Sequence, residues 1–163
     1  MRMNWVIGPA DVDGPEAEAV LREYYRDIVA RYSGRPASEA DIDAAMKEEP
    51  SDALAPPTGL FLLARRGGGA PAAVGCVALR WFDGGVAEVK RLFVHPQARG
   101  EGGGAALLAA AERAAAGHGA GLVRLDTRSD LAEARRLYAA NGYTEVAPFS
   151  QGPYADHWFA KRL

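Results

Sequence analysis

The sequence predicts a mixed α/β domain, and three observations carry that expectation. Residues 59–65, 72–81 and 86–94 read as consecutive β-strands separated by Gly67-Gly68-Gly69 and Asp83-Gly84-Gly85, turn chemistry that joins antiparallel neighbours. Beyond Val94 the pattern switches to alternation: a glycine loop, an alanine-rich helix over 105–116, a strand over 122–126, a helix over 130–140 and a strand over 143–146. At 163 residues the chain has the length of one domain, which buries about 70% of the surface its unfolded form exposes.

The elements before and after this core follow from local signals. A short strand is expected at Trp5, Val6 and Ile7. A helix over 15–31 follows, started by Pro15 and striped by Leu21, Tyr24, Tyr25, Ile28 and Val29. The Ser-x-x-Asp pattern of Ser38 and Asp41 opens a second helix over 38–48 that turns Ile42, Ala45 and Met46 inward. The proline-rich residues 50–57 end it. The tail over 154–161, carrying Trp158 and Phe159, is suited to a last strand.

Composition bounds the function. With 48% hydrophobic and 25% charged residues and a net charge of -2, the chain is not basic enough for a nucleic-acid partner. One cysteine, Cys76, excludes an internal disulfide and a cysteine-based metal cluster, and no two of its three histidines share metal-ligand spacing, so no metal is expected. No apolar leader opens the sequence and no run approaches the 20 or so apolar residues of a spanning helix, so a cytoplasmic protein without a membrane role is expected. Residues 1–57 hold 12 acidic and 6 basic side chains, and the remainder 9 and 13. A basic body suits an anionic ligand and an acidic entrance a cationic one, although solvated helix faces give the same counts.

The loop Arg99-Gly100-Glu101-Gly102-Gly103-Gly104 leads into Ala105 and the third helix. Glycines let successive backbone N–H groups converge on an anion, and the helix adds the positive end of its dipole. A phosphate-bearing ligand is expected, with Arg99 placed for a charge-assisted contact. In the strand before it, Glu88 interrupts an apolar run. Simple alternation would put Glu88 and Lys90 on the face of Leu92 and Val94, so either that face is mixed or a bulge shifts the register near Lys90-Arg91. A carboxylate there suits a general base, or else a solvent-facing strand residue. Tyr138 lies at i, i+3, i+7 spacing with Leu131 and Ala134, which by itself reads as a core aromatic. His118 fits a helix C-terminus, and Cys76 reads as a buried inert thiol.

Residues 87–96 (Ala-Glu-Val-Lys-Arg-Leu-Phe-Val-His-Pro), the Arg-x-x-Gly-x-Gly of Arg99, Gly102 and Gly104, and the Leu-Tyr-x-x-x-Gly-Tyr ending at Tyr143 resemble the GNAT acetyltransferase superfamily. The likeness covers about residues 74–143. It implies a mostly antiparallel sheet of six or seven strands, splayed at its middle and flanked by about four helices, with acetyl-CoA as cosubstrate in the gap. A single domain over 1–163 follows, with a helical acceptor-side segment (1–57), a cofactor-binding core (58–146) and a C-terminal strand segment (147–163). By the same resemblance Gly100, Glu101, Gly102, Gly103, Gly104 and Ala105 hold pyrophosphate with Arg99, while backbone groups of Leu92, Phe93 and Val94 bind pantetheine. Glu88 is the expected base and Tyr138 the expected acid. Tyr24, Tyr25 and His157 are the acceptor-side candidates for a small-molecule or peptide amine. Dimers are common in that superfamily. One departure stands out: where many members carry a CoA-facing Asn, this chain has Leu131 beside Asp130. Two rival readings remain. A CoA-binding sensor would keep the fold without the chemistry. A dinucleotide-binding unit would use Gly100-x-Gly102-x-x-Ala105 with Asp126, against which stand the five residues between Val94 and Gly100.

Overall fold

The computed structural model describes residues 4–68 and 71–163, so Gly69 of the first expected turn lies outside the described residues. Seven strands form one sheet in the order β1-β2-β3-β4-β5-β7-β6. They are β1 (Trp5–Pro9), β2 (Gly59–Arg66), β3 (Gly75–Phe82), β4 (Val86–Val94), β5 (Leu122–Thr127), β6 (Thr144–Val146) and β7 (His157–Arg162). All pairings are antiparallel except β4 with β5. The tail strand does not extend an edge; it inserts between β5 and β6. The strand expected over 72–81 begins only at Gly75.

Helices α1 (Pro15–Ser33) and α2 (Glu39–Glu48) cover one face, and α3 (Gly103–Gly117) and α4 (Ala132–Ala140) the other. The Ser38 hydroxyl accepts from the Asp41 amide at 3.1 Å and the Asp41 carboxylate accepts from the Ser38 amide at 3.0 Å, the reciprocal start expected for α2. Under α3 and α4 pack Leu62, Val77, Leu79, Val89, Val123, Leu125 and Phe159; under α1 pack Phe61, Leu63, Cys76, Ala78 and Phe93. Among the described residues no helix is long and apolar enough to cross a membrane.

Two irregularities shape the middle of the sheet. The β3–β4 register jumps between Cys76↔Phe93 and Ala78↔Lys90, so Val77 opposes both Arg91 and Leu92, and Arg91 takes a φ of 58°. Of the two alternatives that the alternation of Glu88 and Lys90 left open, a mixed face or a bulge, the structure has the bulge. It reverses the faces: Val89, Leu92 and Val94 all meet the α3 side, whereas Phe93 joins the α1 side. In addition, β4 and β5 pair over only three residues, Val86↔Leu122, Ala87↔Val123 and Glu88↔Arg124. Beyond that rung they part, and the edge of β4 that faces β5 has no strand partner.

Candidate active site

The parted strands open into a cleft of about 730 Å³, within the range of small-molecule sites. Its floor is β4 from Val89 to Val94. One end is the glycine loop with the first turn of α3, and the other is built by α1, the C-terminal end of α2 and Tyr154.

At the loop end, Gly100 and Gly102 have φ of 80° and 83°, a conformation that a side chain strains, and the space a Cβ would enter there is empty. A Cβ on Gly103 would lie 2.9 Å from the Trp5 ring, and one on Gly104 would lie 2.9 Å from Leu137 Cδ2. Glycine thus lets α3 start close against β1 and α4. The first-turn amides of α3 are free, as at any helix N-terminus, and they face the cleft from Gly103, Gly104 and Ala105. Arg99 is fixed by its Nε–H to the Val94 carbonyl (2.9 Å) and by Asp27 (3.1 Å). These features fit an anionic phosphate group.

On the wall opposite, Tyr138 comes from α4. Gly142 at φ 89° closes this helix, letting the Tyr143 amide donate to the Tyr138 carbonyl at 3.0 Å, which gives the Tyr-x-x-x-Gly-Tyr pattern its geometric reason. The Tyr138 ring packs 6.0 Å from Tyr143 and 5.7 Å from Phe159. Its hydroxyl has no protein partner among the described residues, whereas that of Tyr143 donates to Glu112 at 2.9 Å. Burial pushes the Tyr138 phenol well above its ordinary range, so it holds its proton at neutral pH.

Among the described residues six carboxylates line the cleft: Asp27, which pairs with Arg31 and Arg99; Glu133, which pairs with Arg31; Asp41, Glu48 and Glu49 on or at the end of α2; and Asp126 on β5. Asp126 Oδ2 accepts from the Ser150 hydroxyl (3.4 Å), which in turn accepts from Trp158 Nε1 (2.9 Å). Burial raises the Asp126 carboxyl above the usual range, only partly offset by the charge of Lys90.

Comparison with known proteins agrees with this geometry. The profile of the Acetyltransferase (GNAT) family matches residues 19–143. The chain belongs to the GNAT acetyltransferase family. Its activity is that of an acyltransferase of the N-acetyltransferase type. It is 31% identical over 146 residues to an uncharacterized N-acetyltransferase of Schizosaccharomyces pombe, covering 89% of this chain and 83% of that one. It is 41% identical over 102 residues to an IAA acetyltransferase of Azospirillum brasilense, covering 62% of this chain and 63% of that relative. The PaiA N-acetyltransferase of Thermoplasma acidophilum, solved in complex with coenzyme A, superposes with a TM-score of 0.75 at 22% identity, over 99% of this chain and all (100%) of that one.

In this GNAT acetyltransferase the cleft brings together most of the residues singled out in the sequence. Leu92, Phe93, Val94, Arg99, Gly100, Gly102, Gly103, Gly104, Ala105, Tyr138, Tyr24 and Tyr25 all line it. Three do not. Glu101 turns away, pairing with Arg66 at 2.7 Å and giving its carbonyl to Trp5 Nε1 at 2.9 Å. His157 lies 3.3 Å from both Glu145 and Ser129 Oγ. Glu88 is 5% exposed, with Oε1 held by Lys90 at 2.9 Å and Oε2 by Arg124 at 3.2 Å. Arg124 is itself sandwiched between Phe82 and Phe149, 4.7 and 4.4 Å from their centroids. The Leu131 that departs from the resembled pattern also lines the cleft, and its neighbour Asp130 pairs instead with the buried Arg128 at 2.8 Å.

Among the further cleft residues, Glu48 and Glu49 escaped the sequence reading, Arg91 entered it only at the possible bulge, and Asp126 only in the dinucleotide-binding alternative. Period-2 alternation in β5 was the available signal for Asp126, because it places Arg124 and Asp126 on the face of Glu88. Cys76, as expected, is buried; its thiol donates to the Arg91 carbonyl at 3.1 Å and is pushed up to about 12 by burial.

Proposed function

We propose that this enzyme transfers the acetyl group of acetyl-CoA to a primary amine of a small molecule or peptide, by direct attack within a ternary complex. The observation that carries the reading is one cleft in which the unpaired edge of β4, the free amides of α3, a raised carboxyl (Asp126) and an unpartnered tyrosine hydroxyl (Tyr138) all converge.

Acetyl-CoA supplies a thioester whose carbonyl the amine attacks, and the loop amides with Arg99 take its pyrophosphate. The backbone groups of Leu92, Phe93 and Val94 that are left free at this edge, the Val94 carbonyl being held by Arg99, pair with the pantetheine amides as a neighbouring strand would. A backbone N–H just past the bulge, that of Leu92 or Val94, stabilises the oxyanion. Asp126 accepts the proton of the amine: it faces the cleft, and its raised pKa brings it toward the acceptor's own range. The C–N bond forms, the C–S bond breaks, and Tyr138 gives its proton to the departing thiolate before regaining one from solvent. Glu88, the base suggested by resemblance, instead anchors Lys90 and Arg124 behind the site. At the far end, Glu48, Glu49 and the rings of Tyr24, Tyr25 and Tyr154 form an acidic, aromatic mouth for an ammonium group.

A thermal shift comparing acetyl-CoA, CoA and NAD tests the cosubstrate. At 100 times Kd, binding to the native state alone adds about 2.7 kcal/mol, a rise of roughly 5 to 10 °C for a domain of this size. A rise with acetyl-CoA and CoA but not NAD, followed by amine-dependent CoA release, is expected. Acetyl-CoA binding without transfer to any amine would return the protein to a sensor role.

A further inference from the structure

Five cationic side chains line the cleft, and four have carboxylate partners. Arg31 meets Asp27 and Glu133, Lys90 meets Glu88, Arg99 meets Asp27, and Arg128 meets Asp130. Arg91 has none among the described residues. Its Nη2 donates to the Glu49 carbonyl at 3.2 Å and its guanidinium lies 5.7 Å from the Tyr25 centroid, while the carboxylate of Glu49 turns to the Tyr25 hydroxyl at 3.5 Å. Among the described residues, Nε is buried without a partner and Nη1 makes no hydrogen bond to protein.

Such an arrangement is costly. A guanidinium drawn partly out of water without a counter-charge loses hydration that nothing in the fold returns. The residue also sits at φ 58°, a conformation that side-chain-bearing residues adopt rarely and that concentrates at functional sites. The bulge that imposes it is what makes Arg91 the extra residue of β4. An anion arriving with a ligand would supply the missing counter-charge at Nη1, which is not enclosed as Nε is. The nucleotide phosphates are not that anion. They belong at the loop, which lies beyond Val94, and roughly 10 Å of strand already separates Arg91 from Val94. Arg91 is instead directed to the acceptor end, among Tyr25 and the C-terminal end of α2.

Resting on the acetyl-transfer reading above, we propose that Arg91 binds a carboxylate of the acceptor, so that the acceptor is an amino acid. Its ammonium group goes to the acidic side of the mouth, where Glu48, Glu49 and Asp126 lie, and its carboxylate goes to the fork of Arg91. Opposite charges side by side in the mouth discriminate a zwitterion, which meets both, from a simple amine, which leaves Arg91 unpaired.

The test compares the twenty amino acids with their C-terminal amides as acceptors, for the wild type, R91Q and R91K. The expected result is an amino acid whose kcat/KM exceeds that of its amide by at least tenfold. In R91Q that preference collapses, with the loss falling on KM for the acid rather than on kcat, and R91K restores part of it. Equal use of acid and amide by the wild type, or equal losses for both in R91Q, would overturn the proposal and leave Arg91 as a clamp on the end of α2. Calorimetry of N-acetyl amino acids and their amides, with CoA present, gives a readout that needs no turnover. Tighter binding of the acid, lost in R91Q, supports the proposal even if no amine is acetylated, and absence of binding for every N-acetyl amino acid up to millimolar concentration overturns it. If R91Q does not fold, the same comparison is read from R91K, whose point charge keeps the sign but loses the bidentate fork.

Discussion

Glu88 and Asp126 occupy adjacent strands and face the same side of the sheet, yet they lie on opposite sides of the point where the sheet parts. Glu88 belongs to the last paired rung. There β5 brings Arg124 against it and β4 brings Lys90, so both of its oxygens are taken. Asp126 lies two residues further along β5, where no partner strand stands on the β4 side, and it meets a hydroxyl and the open cleft instead. On the mechanism proposed above, the same side-chain chemistry is structural in the closed region and reactive in the splayed one. What differs is that both oxygens of Glu88 are in ion pairs, with Lys90 of its own strand and Arg124 of the next, whereas Asp126 is in no ion pair among the described residues.

Removing the reactive member has the largest expected effect. D126N lowers kcat for amine acetylation by about 10² to 10⁴-fold, the span general base catalysis contributes, while CoA affinity stays within twofold. It also stabilises the fold at neutral pH. Because the folded pKa of Asp126 is raised, the native state binds more protons than the unfolded chain between the ordinary and the raised value. The group therefore favours folding at low pH, and that contribution is lost as pH rises through the raised value. The gain in Tm of D126N is expected at pH 7 and vanishes toward pH of about 4, the ordinary carboxylate range. A D126N variant with full turnover would break the comparison outright.

The next largest effect tests the opposite wall. Y138F lowers kcat by about 10²-fold with little loss of stability, because the hydroxyl it removes has no protein partner among the described residues. Removing the bonded hydroxyl in Y143F reverses the balance, leaving kcat near wild type and lowering stability by about 1 to 3 kcal/mol, since Glu112 is left short of a donor. Urea denaturation beside steady-state kinetics reads both. In the loop, G102A places a side chain at φ 83° and is expected to weaken CoA binding about tenfold, the equivalent of about 1.4 kcal/mol, through backbone strain rather than a clash. The smallest effect on chemistry belongs to the closed rung. E88Q costs about 1 to 3 kcal/mol of stability by leaving Lys90 and Arg124 underpaired, and lowers kcat only a few-fold.

Much of this was legible before any coordinates. The meander, the glycine loop and the switch to β–α alternation follow from turn residues and periodicity, and period-2 patterning narrowed β4 to a mixed face or a bulge. The capping signal of Ser38 and Asp41 located α2. Strand order was not legible, because the insertion of β7 between β5 and β6 depends on long-range pairing that no local pattern encodes. The site divided in the same way. Loop and tyrosine motifs are contiguous and were visible, whereas the roles of Asp126 and Arg91 arise from a splay and a backbone reversal. Glu88 drew the base assignment from the family resemblance, its strand position alone leaving a solvent-facing glutamate equally open; the cations that hold it are spread from position 90 to 124.

The central claim, that the splayed rung holds the base and the closed rung does not, is tested most directly by the pH dependence of kcat at saturating acetyl-CoA and amine. The wild type, E88Q and D126N are compared. The wild type and E88Q are expected to lose activity on the acid side, with a limb above the usual carboxylate range, while the residual activity of D126N shows no such limb. A D126N variant that keeps both the limb and near-wild-type turnover, with E88Q losing both, would contradict the account and return the base to Glu88.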